Sequence, residues 1–369
     1  MTEEIKYQKP PSEEQLSRGR TYAKYPRPFS DERYLENERR SIVHYMFAYL
    51  GLLPPDPRKD KIPIKTGPVP IFHELYQAMY LLPWAFVPHI IRTVYSYKTG
   101  ENLSPFGMWA VLSSVGFFYG LLVVQALNKL SLKLGYFDAQ VYRDTIPKQD
   151  LIKILIEVTG GVTLRPLFII LATYKPEQPF SISPWLPVQL FFFTVIEDFY
   201  YYWAHRMCHE SETMWKFHRL HHTTKHPTHL LLGYADHFQE VFDVLIVPFL
   251  AWYTYPIDFN ALSIWFFIHF TYQLQGHAGI RMYHGTVLTG TFLRPFKWDI
   301  ISEDHDLHHR WGWRKSCNYA KQSGIWDRVF GTQSERVECV EGNINYSDRV
   351  GGLSFLSISD MITGKAITK

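Results

Sequence analysis

A long apolar stretch, Val241 to Gln275, separates two histidine-rich polar segments and is broken at its midpoint by Tyr255-Pro256-Ile257-Asp258. No other feature constrains the fold as much. A proline beside a helix-capping aspartate stops one helix and starts another, so the stretch predicts a helical hairpin. Two antiparallel helices begin and end at the same level. The segment after the hairpin therefore returns to the side on which the preceding one lies. Of the 17 histidines, those from His205 to His309 form the bulk, and most sit in three clusters. His205-Arg-Met-Cys-His209 and His218-Arg-Leu-His221-His222 precede the hairpin; His305-Asp-Leu-His308-His309 follows it.

Imidazoles three and four residues apart share one face of a helix. Neutral imidazole is the commonest protein ligand for transition metals. The clustered imidazoles are too many for one ordinary tetrahedral site, so the pattern predicts two metals. An all-nitrogen set suits Zn, Fe, Cu or Ni. Hydrolytic zinc needs only three protein ligands and an open position, whereas two irons with open positions can bind and split O2. A site at a membrane adds an apolar substrate with an unactivated C–H bond. Oxygen activation by a di-iron centre meets both demands. A membrane zinc-binding or metal-transport protein is the competing class; it would place ligands inside spans, whereas these clusters lie beyond the span ends.

The rest of the chain reads as a membrane protein. Candidate spans are Ile71 to Ile91, Phe106 to Leu127, Leu151 to Tyr174 and Leu186 to Trp203, before the hairpin. The second is free of charge and long enough for ~30 Å of hydrocarbon. Aromatics make up 17% of residues, and many Trp and Tyr flank apolar runs, as they do at membrane interfaces. A net charge of +3 gives nucleic-acid binding no support. Cys208, Cys317 and Cys339 are spaced without a disulfide framework. The polar N-terminus has no signal-peptide pattern, so an internal span would direct insertion. Lys and Arg are dense around Arg58 to Lys65 and Lys129 to Lys153. By the positive-inside rule these segments and all three clusters face the cytosol. The expected fold class is all-α: a polytopic integral-membrane helical bundle with a cytosolic histidine-rich cap. Its parts are a cytosolic extension (1–70, with a short helix from Glu32 to Gly51), N-terminal membrane helices (71–184), the histidine-box domain (185–335) and a cytosolic tail (336–369).

In order and spacing the clusters resemble the boxes of the fatty acid hydroxylase / sterol desaturase superfamily of integral-membrane di-iron oxygenases, and among them C-4 methylsterol oxidases most. Further matches are Glu197-Asp198, Tyr234-Ala235 near His237, His277 after the hairpin, Asn318-Tyr319-Ala320 and Trp326-Asp327-Arg328-Val329-Phe330-Gly331-Thr332. The likeness spans about residues 185 to 335. There are departures: Asp304 stands where methylsterol oxidases tend to carry another histidine, and His222-Thr-Thr-Lys-His226-Pro-Thr is closer to desaturase-like members. The resemblance implies metal ligands at His205, His209, His218, His221, His222, His305, His308 and His309, and a further one at His277. His237 is either a ligand or a partner to one. His226, His229, His269 and His284 are expected to be structural. Asp198, two turns below His205 on one helix face, is the candidate carboxylate for holding an imidazole tautomer, and Asp304 and Asp306 are weaker ones. Trp311, Trp313 and Trp326 are expected as interface anchors. The family implies O2, a lipid substrate drawn from the bilayer, residence in the endoplasmic reticulum, and electrons from NAD(P)H through cytochrome b5 and its reductase. The expected product is a hydroxylated sterol or methylsterol-like lipid; desaturation or fatty-acyl hydroxylation are the alternatives.

Overall fold

The computed structural model describes residues 6–8, 41–57, 59–144, 146 and 150–350. Most of the expected N-terminal extension and of the C-terminal tail lies outside the described residues. So does the first part of the helix expected from Glu32; its remainder forms α1 (Ile42–Tyr49), capped by the Ser41 hydroxyl.

The bundle is built from α2 (Glu74–Thr99), α3 (Pro105–Leu134), α4 (Leu151–Thr173), α5 (Leu186–Glu210) and the hairpin. Glu212–His218 forms the short α6. The first limb of the hairpin starts as α7 (His237–Val241), widens to a π turn at Phe242–Ile246 and continues as α8 (Val247–Thr254). The second is α9 (Phe259–Gly276), whose first turn is capped by Asp258 accepting from the Ala261 amide. The break thus falls at Pro256-Ile257-Asp258, where a helix stop and a helix start adjoin. The expected first span is longer than the sequence suggested. α2 runs past Arg92 to a left-handed Gly100, because Pro83 and Pro88 are accommodated inside it.

α9 is predominantly apolar, carries no Asp, Glu, Lys or Arg and, apart from Asn260, is buried along its whole length. A helix of that kind belongs at the centre of a bundle, and α9 packs against α2, α3, α4 and α5. Buried polar pairs tie it to three neighbours: His89 to Ser263 (2.8 Å), Tyr119 to Thr271 (2.5 Å) and Arg165 to Gln273 (3.1 Å). Gly116 and Gly120 on α3 let the backbone close on Phe266 and Phe270; a Cβ at Gly120 would lie 2.7 Å from the Phe270 ring. This is the small-residue packing of membrane helices. The outer faces expose large apolar side chains, among them Met79, Phe106, Leu171 and Tyr253. α3 and α4 are each long and apolar enough to cross a membrane. The molecule is an all-α membrane protein with a polar cap at one end of the bundle.

The cap contains α10 (Thr289–Leu293), α11 (Ser302–Trp311) and α12 (Ile325–Val329). The start of the expected tail belongs to it. Ile344–Arg349 pairs in parallel with Val69–Ile71, and Glu303 accepts the backbone N–H groups of Val337, Glu338 and Cys339 at 2.6–3.0 Å.

Candidate metal centre

His205 and His209 stand one turn apart where α5 leaves the apolar bundle. His218 ends α6, and His221 and His222 form the 3-10 turn His221–Thr223. His277 follows the last residue of α9, and α11 carries His305, His308 and His309. The hairpin brings these segments to one place. Their side chains form two groups. One holds His205, His209, His218, His222 and His308; the other holds His221, His277, His305 and His309. Within each group the candidate ligand atoms all lie within 4.8 Å of one another. The groups touch through His222 and His309, whose ring centroids are 4.7 Å apart. All nine rings are buried.

Six of the nine rings are held from behind. Nδ1 of His205, His209, His277, His308 and His309 points at the backbone carbonyls of Tyr319, Trp313, Gln273, Cys317 and Thr224 at 2.6–3.0 Å. Nδ1 of His218 points at the Gln239 side-chain oxygen at 2.8 Å. A carbonyl only accepts, so Nδ1 carries the proton and Nε2 keeps its lone pair. The Nε2 atoms then face one another. His205 and His218 are 3.0 Å apart, His222 and His308 3.0 Å, and His277 and His305 2.9 Å. In the His205–His218 pair both Nδ1 atoms face an acceptor, so two lone pairs oppose each other and repel unless a cation sits between them. Metal–nitrogen bonds of ~2.0–2.1 Å put neighbouring ligand atoms about 3 Å apart. Nε2 of His209, buried, has no protein partner at all. The donor set therefore fits a pair of nitrogen-ligated metal ions. Burial, with Lys321 nearby, lowers the His218 pKa to about 4; burial and neighbouring imidazoles lower that of His308 to about 3 and those of His221, His222, His305 and His309 well below the usual histidine value. The rings are neutral and ligand-ready at pH 7.

Several expected roles change. His237 is in neither group. It opens α7 with its ring largely exposed against the Glu157 carboxylate, because the polar start of the hairpin points away from the centre. Asp198 touches no imidazole. Its carboxylate accepts the amides of Lys321, Gln322 and Ser323 and the Ser323 hydroxyl, at 2.7–3.0 Å. Asp327 likewise accepts the Tyr319 and Ala320 amides at 2.8 Å. Together they fix the loop whose Tyr319 carbonyl holds His205, so Asp198 positions a ring at one remove. Asp304 and Asp306 also hold none of the nine rings: Asp304 pairs with Arg336, and Asp306 pairs with Arg143 and Arg310 and lies 4.0 Å from Nδ1 of His226. His226, His229, His269 and His284 lie outside both groups. Trp326 is half-buried, its Nε1 donating to the Val195 carbonyl at 2.9 Å. Gln239 and the five carbonyls were not visible beforehand, since a backbone oxygen carries no residue signature.

Two cavities flank α9. One, of about 60 Å³, is lined mainly by apolar side chains of α2 and α3, including Leu81, Trp84, Tyr119 and Leu127, with Thr271 and Gln275 of α9. The other, about 30 Å³, reaches His221 and His277 and carries Arg165, Glu240, Asp243 and Lys321.

Residues 190–332 match the family model for fatty acid hydroxylase. The chain is 34% identical over 317 residues to the fatty acid hydroxylase vlmA of Lecanicillium sp., an alignment covering 79% of this chain and 86% of that protein. It is 30% identical over 171 residues to methylsterol monooxygenase 2-1 of Arabidopsis thaliana, covering 42% of this chain and 60% of that one. It is 32% identical over 140 residues to alkylglycerol monooxygenase of Xenopus tropicalis, covering 37% and 28%. No solved structure matches the chain.

Proposed function

The chain belongs to the fatty acid hydroxylase family, and from that membership we propose that it is a membrane-bound non-haem di-iron oxygenase that hydroxylates an aliphatic C–H of a lipid. Its relatives support an O2-dependent lipid oxygenase. What carries the di-iron reading is the gathering of nine buried imidazoles, without a carboxylate, into two adjacent groups. His205, His209, His218, His222 and His308 are the proposed ligands of one iron, and His221, His277, His305 and His309 those of the other. Bound there, the irons would supply the activation of O2, which side chains do not perform alone. One oxygen atom goes into the C–H bond; two electrons and two protons take the other to water. The chain's own part is to hold the rings neutral, fix their tautomers through backbone carbonyls and exclude bulk water.

We assign a fatty-acyl chain as the first substrate candidate and a methylsterol-like lipid as the second. The relative named a fatty acid hydroxylase aligns over 79% of the chain, including membrane helices, whereas the methylsterol relative aligns over 42%. The cap faces the cytosol of the endoplasmic reticulum in this reading, and electrons come from NAD(P)H through cytochrome b5 and its reductase.

The test is purification from native-like membranes with elemental and Mössbauer analysis. Reconstitution with NAD(P)H, the reductase and cytochrome b5 then allows O2 uptake and lipid products to be measured. Two irons per chain and a hydroxylated lipid formed with O2 uptake are expected. Protein that holds only zinc and consumes no O2 after iron reconstitution would overturn the reading.

A further inference from the structure

The nine imidazoles are buried, so a reductant outside the protein cannot touch the centre, and each electron has to cross intervening side chains. An aromatic path crosses them. Trp313, 37% exposed, stacks on Trp215 with ring centroids 6.1 Å apart and planes 20° apart. Trp215 in turn lies 5.3 Å from the His209 ring and 5.7 Å from the His222 ring. Both are members of the five-imidazole group. A second connection runs through the backbone, where the Trp313 carbonyl accepts the His209 Nδ1 proton at 2.9 Å.

The outer tryptophan is held at a conformational cost. Its φ is +36° and that of Gly312 is +58°. Bulky residues rarely adopt positive φ, and such outliers gather at functional sites. The rim around it is basic. Arg314 lies 4.9 Å over the Trp313 ring, Lys315 follows it, and Lys216 adjoins Trp215 on α6. The Lys225 ammonium approaches Gly312 from beneath. Glu212 is the acid there, and it is paired with Arg314 at 3.5 Å.

We propose that Trp313 and Trp215 are the bridge by which electrons reach the centre, and that the basic rim around Trp313 docks a one-electron carrier protein with an acidic face. The proposal rests on the oxygenase reading above. In each encounter the carrier is oxidised by one electron and the centre is reduced by one. The indoles stay neutral and closed-shell, acting as tunnelling medium, and carry no proton. Two encounters provide the pair of electrons that one hydroxylation consumes. Complementary charge raises the encounter rate and makes it salt-dependent.

The probe is the soluble haem domain of cytochrome b5, used with the full chain in nanodiscs. First, its binding to the metal-free chain is measured at rising ionic strength. Binding that weakens with salt and with the double substitution Arg314→Glu, Lys315→Glu is expected. Second, oxidation of the reduced haem by the iron-loaded chain is followed anaerobically by stopped flow. Trp215→Leu and Trp313→Ala should slow it by about an order of magnitude, while Trp215→Phe retains most of the rate. Iron content and reduction by dithionite should be unchanged in all three. Iron-loaded Trp215→Leu that oxidises the haem at the wild-type rate would overturn the bridge. Quenching of Trp313 fluorescence by brominated lipid would show a membrane anchor instead, and overturn the docking surface. A wild-type chain that takes up no iron would overturn the oxygenase reading and this proposal with it.

Discussion

His305 and His309, one turn apart on α11, bring their Nε2 atoms to 3.2 Å in one group, while His308 beside them reaches His222 at 3.0 Å in the other. The second cluster divides the same way. His218 and His222 join one group, and His221 meets His277 at 3.3 Å in the other. Positions i and i+4 share a helix face and neighbouring positions do not. The paired histidines that end each of these clusters therefore serve two sites at once.

This division predicts separable metal loss. His309→Ala removes a member of the four-imidazole group and His209→Ala a member of the five-imidazole group. Each should lower the metal content of the purified chain from two ions toward one and abolish turnover, with the protein still in the membrane fraction. Elemental analysis beside immunoblotting of membranes checks both. Two tightly held ions in either variant would mean that the groups are wrongly drawn.

Asp198 should behave as a positioning residue. Asp198→Ala leaves three amides and a hydroxyl without their acceptor, and each unsatisfied buried donor costs ~1–3 kcal/mol. The loop around Tyr319 should loosen. Metal retention and thermal stability should then fall together, while the pH profile of any remaining activity keeps its shape. A shifted pH profile with normal stability would instead point to direct proton transfer by the carboxylate.

These two predictions mark what the sequence conveyed and what it did not. The histidine clusters and the hairpin were legible because ligand spacing and the Pro256–Asp258 break are local. The site of Asp198 was not. Its seven-residue offset from His205 put it on the right helix face, but that face is shared with the 321–323 loop, which arrives from more than a hundred residues away. His237 misled for the same reason: its proximity to Gln239 is sequential, yet only Gln239 turns inward to His218. Carbonyl partners of the rings leave no trace in residue type.

Acid should undo the metal-free cap. Burial lowers the His218 pKa to about 4 and that of His308 to about 3, against ~6.5 in an unfolded chain. Between those values the unfolded chain binds protons that the folded one excludes, so stability rises with pH. It is complete above the unfolded value and is lost progressively as pH falls below it, toward the folded values. Thermal unfolding of the apo-protein should move to lower temperature from pH 7 to pH 5. A flat profile across that window would contradict neutral, buried rings.

Helix packing gives a prediction independent of the metals. Gly120→Val would drive a side chain into Phe270, and overpacking of this kind costs ~1–3 kcal/mol. At Gly160 on α4 a Cβ would meet only the tip of Leu164, at 4.0 Å. Gly160→Ala should be neutral, or stabilising by ~0.4–1 kcal/mol through the unfolded chain. Unfolding in detergent should separate the two variants clearly. Equal effects would mean that α3 and α9 do not approach as closely as the glycines allow.

Orientation is the remaining question that charge alone addresses. Lys and Arg are dense in the sequence from Arg58 to Lys65 and from Lys129 to Lys153, and the positive-inside rule places such segments in the cytosol. The parallel pairing of Val69–Ile71 with Ile344–Arg349 fixes residues just after the first segment to residues 344–349, so both have to lie on one side of the membrane. The turn at Glu341-Gly342 is exposed beside that pairing. A protease site inserted there should be cut in sealed microsomes without detergent, giving a membrane-retained fragment. A site cut only after the vesicles are opened would put the cap in the lumen. The electron donor would then have to be a lumenal protein, since a carrier confined to the cytosol could not reach Trp313.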